Sequence, residues 1–447
     1  MVWIFFFLIS PYHYTHLGGV TGAIALLFAY NFCFWLGMKN FKHSPPVTRN
    51  TNTVIYRFTK AHSKLLNILL VAGFVGSILN IYVKLQLISS LSVTSFAANK
   101  EQIMEAGELV GGGISVISSL LYPMCYVAFV MTIFYRIFLS RLRFSLNIIV
   151  SLLPVVTIVL LGSRTTVFFY ALSGMFAFLL SPKHPVEQHP VRFNFKKIVR
   201  SYFKTRTLII LTLVLFASIL FFSTIQSDRL IEMGGDEVSF FEYWKYAQQW
   251  EYNSNHPINL LFKDNDPLHH VGLLNFIHYM VHGLFEYIRL YNHVDDWGGI
   301  YYGTYEGYIF FKFLNFVGIP AVADYNTMNK VFYKQAVFTT FWGPFYIDFG
   351  IFGLIVIFYF GRLIRLISSR LAKGSFWAIL SYPYALTVVL TSSIFHVLNG
   401  SFLYNVVSIL LSCLVYNYLV KKEKSKRKRW KGFNREHFRT PVTPQTI

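Results

Sequence analysis

Residues 272–293 read GLLNFIHYMVHGLFEYIRLYNH, a stretch that combines an apolar helix pattern with a line of ionisable side chains. In a helix, residues three or four positions apart share a face. The spacing therefore predicts one polar stripe that contains His278, His282, Glu286, Arg289 and His293. The other faces carry Leu, Phe, Ile, Met and Tyr. Because only 13% of the chain is charged, bases, an acid and a cation within mutual reach make this helix the first candidate for a functional site.

The composition is that of a membrane protein. Of the 447 residues, 54% are hydrophobic, and the chain contains repeated apolar runs near the ~20 residues that a helix needs to cross a bilayer. Nine runs are predicted as transmembrane helices: 18–38, 65–83, 113–135, 146–163, 165–182, 207–227, 344–361, 375–395 and 401–420. Residues 2–9 are too short to cross alone and fit either half of a tenth span or a segment in the outer leaflet. The predicted fold class is all-α, a polytopic membrane protein with about nine or ten transmembrane helices.

The distribution of basic residues predicts the orientation. Cytoplasmic loops carry an excess of Lys and Arg, and the segment after residue 420 is strongly cationic. Alternating back through nine spans puts four loops on the same side as this tail: 39–64, 136–145, 183–206 and 362–374. These loops and the tail hold 30 of the 40 Lys and Arg residues but only three of the 20 acids. We therefore predict a multi-pass protein with a cytoplasmic C-terminus.

This segregation divides the chain into four parts. Residues 1–227 are predicted to form an N-terminal transmembrane bundle, and residues 344–420 the C-terminal transmembrane helices. Between them, residues 228–343 form one long outer loop that carries the candidate site. Its length and aromatic content favour a partly helical cap over the bilayer rather than a disordered connector. The basic tail, residues 421–447, is expected to bind anionic lipid headgroups and not nucleic acid.

Five ionisable residues lie within or beside the predicted spans, each at an outer end: Lys84, Arg164, Arg229, Asp348 and His396. Charged groups at membrane depth are costly and often functional. Their position at the outer ends favours an enzyme over a transporter, whose site usually lies near the midplane. Arg164 and Arg229 fit either a cation that meets lipid-linked phosphate or an interfacial side chain that only reaches the headgroups. Asp348 is predicted at the start of a span, where the helix dipole favours a carboxylate in a structural role as a cap; orientation of a loop arginine is the alternative. His396 is a further candidate base.

The residues of the stripe fit several roles. His278, His282 and Glu286 have a spacing that can hold a metal ion, but general acid–base chemistry by His282 or Glu286 and a structural polar seam are both favoured over metal binding. Arg289 fits either a functional cation or a surface ion pair with Glu286. The three cysteines all lie in apolar runs, and neither a metal site nor another cofactor is predicted.

Three stretches resemble the Wzy-type polymerases, which join the repeat units of O-antigen, capsule and exopolysaccharide. They are the GSRT turn at 162–165, the helix YMVHGLFEYIRL at 279–290, and FWGPFYIDFGIFGLIVIFYFGRL at 341–363. The similarity is architectural and extends over nearly the whole chain. It implies an integral glycosyltransferase of the broad GT-C type in a bacterial cytoplasmic membrane. Such an enzyme polymerises undecaprenyl-pyrophosphate-linked oligosaccharides at the outer face, without a nucleotide sugar or an obligatory metal.

The candidate residues suit that chemistry. A lipid pyrophosphate leaving group needs cations at headgroup height, for which three arginines are available: Arg164, Arg229 and Arg289. The acceptor hydroxyl needs a base, and the candidates are His282, oriented by Glu286, and then His278 and His396. The aromatic residues of 301–311 fit stacking on sugar faces or anchoring at the membrane interface. The resemblance implies a lipid-linked oligosaccharide and membrane lipids as partners, with a chain-length regulator and a flippase.

Three other functions compete with this interpretation. An O-antigen-ligase-type enzyme uses the same donor with a lipid A-core acceptor, and sequence barely separates the two. A flippase or other transporter of lipid-linked oligosaccharides predicts internal repeats and a cationic central cavity, neither of which the sequence indicates. A scaffold of an export complex would leave the polar stripe without a role.

Overall fold

The computed structural model describes residues 10–14, 19–39, 53–55, 58–87, 113–160, 165–182, 186–188, 250–253, 255–257, 267–292, 301–307, 311, 314, 340–392 and 403–437. Its long elements are all α-helices, so the all-α prediction is confirmed at this level. The helices are α1 (Val20–Met38), α2 (Lys60–Leu87), α3 (Gly113–Leu121), α4 (Met124–Phe134), α5 (Arg141–Ser151), α6 (Leu153–Leu160), α7 (Thr165–Leu180), α8 (Pro267–Asn292), α9 (Trp342–Phe349), α10 (Gly353–Leu371), α11 (Phe376–Thr391) and α12 (Leu403–His437).

Short elements connect some of these helices. Two 3₁₀ helices, Arg136–Phe138 and Gly350–Phe352, follow α4 and α9. Four strands of three residues each form two antiparallel pairs: β1 (Tyr12–Tyr14) with β4 (Trp250–Tyr252), and β2 (Thr53–Ile55) with β3 (Val186–Gln188). The first pair joins the N-terminal segment to the predicted outer loop. The second joins two loops that the charge distribution places together on the opposite side.

By length and composition alone, five helical segments in the described residues could cross a membrane: Val20–Met38, Lys60–Gln86, Ile114–Phe134, Trp342–Leu371 and Leu403–Lys426. Two shorter apolar helical segments, Thr166–Leu180 and Phe376–Thr391, accompany them. These seven segments coincide with seven of the nine predicted spans. The predicted span 146–163 is divided between α5 and α6, and the span 207–227 lies outside the described residues.

Large apolar side chains cover the outward faces of the bundle. Phe28 on α1 is 70% exposed, Val71 on α2 is 65% exposed and Leu414 on α12 is 66% exposed. In water such a surface would promote association, whereas lipid tails solvate it. The structure is therefore compatible with a membrane protein whose apolar surface faces lipid.

Helices α1 and α10 run parallel to each other. The ring of Tyr30, midway along α1, packs at Gly353, where α10 begins. Beyond the end of α1, the carbonyl oxygen of Lys39 accepts a hydrogen bond of 2.8 Å from Arg365 Nη1, near the end of α10. The predicted topology also has both spans running from the outer to the cytoplasmic side.

Glycines allow this pair of helices to pack closely. Gly37 and Gly361 each lie against backbone of the other helix, and a Cβ atom at either position would overlap a carbonyl oxygen there. Small residues of this kind bring helix backbones together in apolar surroundings, where close packing replaces the hydrophobic effect.

His62 marks the end of the bundle at which α1 and α10 finish. Its ring centroid lies 5.0 Å from that of Tyr135, 5.4 Å from Phe376 and 4.7 Å from Tyr416. These contacts bring together the start of α2, the end of α4, the start of α11 and the part of α12 around Tyr416. Exposed basic residues surround the same end: Lys39, Lys60, Arg141, Arg362, Arg370, Lys373, Lys421 and Lys422. The structure thus groups the residues that the charge pattern assigns to one side, and the cytoplasmic location of that side remains a prediction.

The predicted span 344–361 is wrong in one respect, because the chain reverses direction within it. At Gly350, φ is 51° and ψ is −134°, a conformation that is accessible essentially to glycine alone. The rings of Phe341 and Phe360 lie 5.3 Å apart, although 19 residues of straight helix would separate them by roughly 28 Å. Helices α9 and α10 are therefore an antiparallel hairpin. Nothing in the largely apolar stretch around Gly350 distinguished this turn from a continuous span.

Candidate functional site

Helix α8 contains the predicted helix up to Asn292 and begins five residues before it, at Pro267. The predicted position as a cap over the bundle is wrong, because the C-terminal half of α8 is embedded. Gly19, just before α1, lies against Asn292, and Gly22 lies against Tyr291. Deeper in the bundle, the carbonyl oxygen of Gly283 accepts a hydrogen bond of 3.2 Å from the Thr340 amide. All residues from 281 to 290 are buried.

The antiparallel packing of α8 and α1 sets the depth of the stripe. Asn292 is level with the start of α1, and a helix rises about 1.5 Å per residue, so His282 lies roughly 15 Å farther into the bundle. The stripe extends inward from the outer end predicted by the charge pattern. Polar groups at such depth are costly unless they serve a purpose.

Four members of the stripe are described, and all are buried: His278 (4% exposed), His282 (3%), Glu286 (8%) and Arg289 (7%). The imidazole rings of His278 and His282 stack, with centroids 5.2 Å apart and planes inclined by 19°. Arg289 Nη1 lies 3.6 Å from Glu286 Oε2. Two bases, a carboxylate and a guanidinium therefore follow one another along one buried line, as the helical spacing predicted. The ion pair is buried, and not the surface pair that the sequence also allowed.

This arrangement has chemical consequences. An imidazole can accept a proton near neutral pH, and a guanidinium can bind two oxygens of a phosphate at once. Charges act more strongly in a medium of low dielectric constant than in water. Because Glu286 contacts Arg289, the carboxylate positions the guanidinium at least as directly as it orients His282.

The opposite face of α8 is an aromatic surface that anchors the helix. The ring of Tyr346 on α9 lies 6.2 Å from Tyr287 and 5.6 Å from Tyr291. The nearby Tyr30 hydroxyl donates a hydrogen bond of 2.6 Å to the Gly350 carbonyl at the tip of the α9–α10 hairpin. The Tyr287 hydroxyl is buried and has no hydrogen-bond partner among the described residues. At about 100° per residue, Tyr287 lies about 180° around the helix axis from His278, about 140° from His282, about 100° from Glu286 and about 160° from Arg289.

Asp348 lies in the last turn of α9, so its predicted position at the start of a helix, and the dipole argument with it, is wrong. The residue is 0% exposed. Its Oδ1 accepts a hydrogen bond from the Tyr305 amide at 2.9 Å, and its Oδ2 accepts one from the Glu306 amide at 2.8 Å. Its carbonyl oxygen accepts a third from the Tyr302 amide at 2.8 Å. Asp348 therefore fixes the turn formed by residues 301–307 onto the end of α9.

Sequence reasoning missed Glu306. The turn brings its carboxylate near enough to interact electrostatically with Asp348 and with the Tyr384 hydroxyl on α11. The available signal was an acid between Gly303 and Gly307 within an aromatic run. It was easily overlooked because the contact to Asp348 spans 42 positions in the chain.

The remaining predicted site residues, Arg164, Arg229, His293 and His396, lie outside the described residues. Of the described candidates, the structure brings four together on α8 and places Asp348 on the neighbouring α9. Within the described part of the chain, no group of three or more His, Cys, Asp or Glu side chains is placed to hold a metal ion.

Comparisons with family models, curated proteins and solved structures gave no match. The resemblance to Wzy-type polymerases therefore rests on the three sequence stretches and on the arrangement of predicted spans.

Proposed function

We propose that the protein is a membrane glycosyltransferase that polymerises undecaprenyl-pyrophosphate-linked oligosaccharide repeat units into a surface polysaccharide. The reaction takes place at the outer face of the bacterial cytoplasmic membrane. The observation that carries this proposal is the buried line of His278, His282, Glu286 and Arg289 within an apolar helical bundle. A purely structural helix in this position would be served at lower cost by apolar side chains.

The proposed reaction needs a base and a cation on opposite sides of one sugar carbon. His282 accepts the proton of the acceptor hydroxyl, and the hydroxyl oxygen then forms a bond to the anomeric carbon of the donor. The bond from that carbon to the pyrophosphate oxygen breaks, and undecaprenyl pyrophosphate leaves. Arg289, held by Glu286 at 3.6 Å, stabilises the negative charge that develops on the leaving group.

The other assigned roles belong to the same proposal. Arg164 and Arg229 would supply further charge for the pyrophosphate, and His278 or His396 an alternative base. We also infer nine or ten transmembrane helices in a GT-C-like arrangement, with a cytoplasmic C-terminus. Membrane lipids, a flippase that delivers the substrate and a chain-length regulator would be the partners.

Deletion of the gene in the source strain tests the proposed class directly. Surface polysaccharide is separated on a gel, where a polymerase yields a ladder of repeat units. We expect the deletion strain to show only the single-repeat product, and a plasmid with the wild-type gene to restore the ladder. If the gene encoded an O-antigen-ligase-type enzyme, its deletion would instead leave full-length polymer on the lipid carrier. If it encoded a flippase, its deletion would abolish the single-repeat surface product as well. Unchanged polymer length would contradict the proposal.

A further inference from the structure

The turn at residues 301–307 contains a strained and exposed aromatic residue. Tyr302 has φ of 51° and is the only residue other than glycine with positive φ in the described part of the chain. This left-handed conformation is unfavourable for a residue with a bulky side chain. The Tyr302 side chain is nevertheless 83% exposed, so burial of the ring does not offset the strain.

Backbone hydrogen bonds to the end of α9 impose this conformation. The Tyr302 amide donates to the carbonyl oxygen of Asp348 at 2.8 Å, and the Tyr301 amide donates to that of Ile347 at 3.3 Å. The Asp348 carboxylate also accepts hydrogen bonds from the backbone amides of Tyr305 and Glu306, farther along the turn. Strained residues persist where their surroundings determine them in this way, and they are concentrated at functional sites.

Anchoring in the membrane interface does not account for this geometry. Other exposed tyrosines, Tyr82 on α2, Tyr359 on α10 and Tyr418 on α12, lie on helices, and none of them has positive φ. An interfacial tyrosine needs only an apolar ring and a polar hydroxyl, and it can occupy an ordinary helix. A fixed ring orientation is useful to a residue that meets a ligand face to face.

The position of the turn connects it to the candidate site. Asp348 is two residues from Tyr346, and the Tyr346 ring packs on Tyr287 and Tyr291 of α8. The turn that contains Tyr302 is thus held by α9, and α9 contacts the aromatic face of the helix that carries the polar stripe.

We propose that Tyr302 is a stacking platform for a sugar ring of the oligosaccharide substrate, with Asp348 as its positioning residue. This inference rests on the proposed function, because the oligosaccharide is the substrate assigned there. The tyrosine ring offers an apolar face to the C–H face of a sugar, and the tyrosine hydroxyl can form a hydrogen bond with a neighbouring sugar hydroxyl. The platform orients the glycan and takes no part in proton transfer or bond cleavage.

Binding measurements on the full chain in nanodiscs test the platform. The probe is an oligosaccharide of two repeat units, released by mild acid from the lipid carrier of the source strain. We expect Tyr302→Ala to raise the dissociation constant about tenfold, as for the loss of one aromatic contact. Tyr302→Phe should bind nearly as wild type does. Tyr302→Gly should bind as weakly as Tyr302→Ala yet raise the unfolding midpoint, because glycine relieves the left-handed strain.

The matched control is Tyr82→Ala, which removes an exposed helical tyrosine, and it should leave binding unchanged. Three outcomes would overturn the platform: wild-type affinity in Tyr302→Ala, a loss of affinity in Tyr82→Ala equal to that in Tyr302→Ala, or no binding of the probe by the wild-type protein. The deletion experiment separates this failure from failure of the proposed function. If the ladder depends on the gene while Tyr302→Ala binds normally, only the platform is wrong. If polymer length is independent of the gene, the polymerase itself is wrong.

Discussion

At the scale of single residues, the two faces of α8 differ in chemical purpose. The Tyr287 hydroxyl lies in the aromatic face and is buried without a hydrogen-bond partner among the described residues. Its dehydration on folding is therefore uncompensated by the part of the structure described. The stripe on the other side contains charged groups whose removal would leave a buried partner unpaired.

Tyr287→Phe should stabilise the protein. The substitution removes the buried hydroxyl and keeps the ring contact with Tyr346, so we expect a gain of about 1 kcal/mol. Thermal unfolding of the detergent-purified protein measures this as a rise in the midpoint. A fall in the midpoint would mean that the hydroxyl has a stabilising partner.

Asp348→Asn should loosen the turn at residues 301–307. Asparagine keeps one oxygen for the Tyr305 amide but points an N–H group at the Glu306 amide, at a cost of about 1–3 kcal/mol. Hydrogen exchange followed by mass spectrometry should show faster exchange of these amides. Glu306→Gln is the control, because its backbone amide still donates to Asp348, and its exchange should match wild type. Equal protection in Asp348→Asn would refute the role of the carboxylate.

At the scale of elements, the hairpin of α9 and α10 determines where the site lies. It presents Tyr346 to α8 and Asp348 to the turn, while its first residue, Trp342, packs at 6.0 Å on Tyr30 in the middle of α1. If residues 341–371 formed a single straight helix, Phe341 and the α9 residues beside it would lie far from the middle of α1.

A chemical cross-link tests this hairpin. In a protein whose three cysteines are replaced by serine, the pair Phe341→Cys and Phe360→Cys should be joined by a short bifunctional thiol reagent, because the native rings are 5.3 Å apart. The pair Phe341→Cys and Leu371→Cys is the control, since 11 further residues of α10 add roughly 16 Å. Peptide mass spectrometry identifies the product. The absence of a cross-link between positions 341 and 360, as a straight helix would give, would contradict the hairpin.

Sequence patterns predicted most elements and the stripe, but not the chain reversals. Apolar length identifies α1, α2 and α12, and the spacing of His278, His282, Glu286 and Arg289 gives their shared face, because both follow from local geometry. The turn at Gly350 was missed since glycine is common within membrane helices and gave no distinct signal. The embedding of α8 and the Glu306–Asp348 contact depend on packing between distant segments, which one sequence does not encode locally.

At the scale of the whole molecule, the two ends of the bundle differ in charge. The parallel α1 and α10 finish together at the end rich in Lys and Arg, and α8 finishes at the other end, where Asn292 lies against Gly19. This polarity agrees with the topology derived from the positive-inside rule, in which the α8 end faces outward.

Cysteine labelling tests the topology. Both Tyr302 and Lys373 are exposed; Tyr302 is held at the tip of the α9–α10 hairpin, and Lys373 follows the other end of α10. In a cysteine-free protein, Tyr302→Cys should react with a membrane-impermeant maleimide on intact spheroplasts, whereas Lys373→Cys should react only after lysis. The reverse pattern would show that the chain is inverted.

The most direct measurement of the stripe's role is a polysaccharide ladder from the deletion strain carrying single variants at equal membrane levels. His282→Gln and Arg289→Lys alter the base and the forked cation, and Lys keeps a positive charge beside Glu286, which avoids a buried unpaired carboxylate. Tyr287→Phe is the control on the other face of the same helix. We predict that both stripe variants yield mainly the single-repeat product and that Tyr287→Phe yields the full ladder. A full ladder from both stripe variants would contradict a catalytic site on α8.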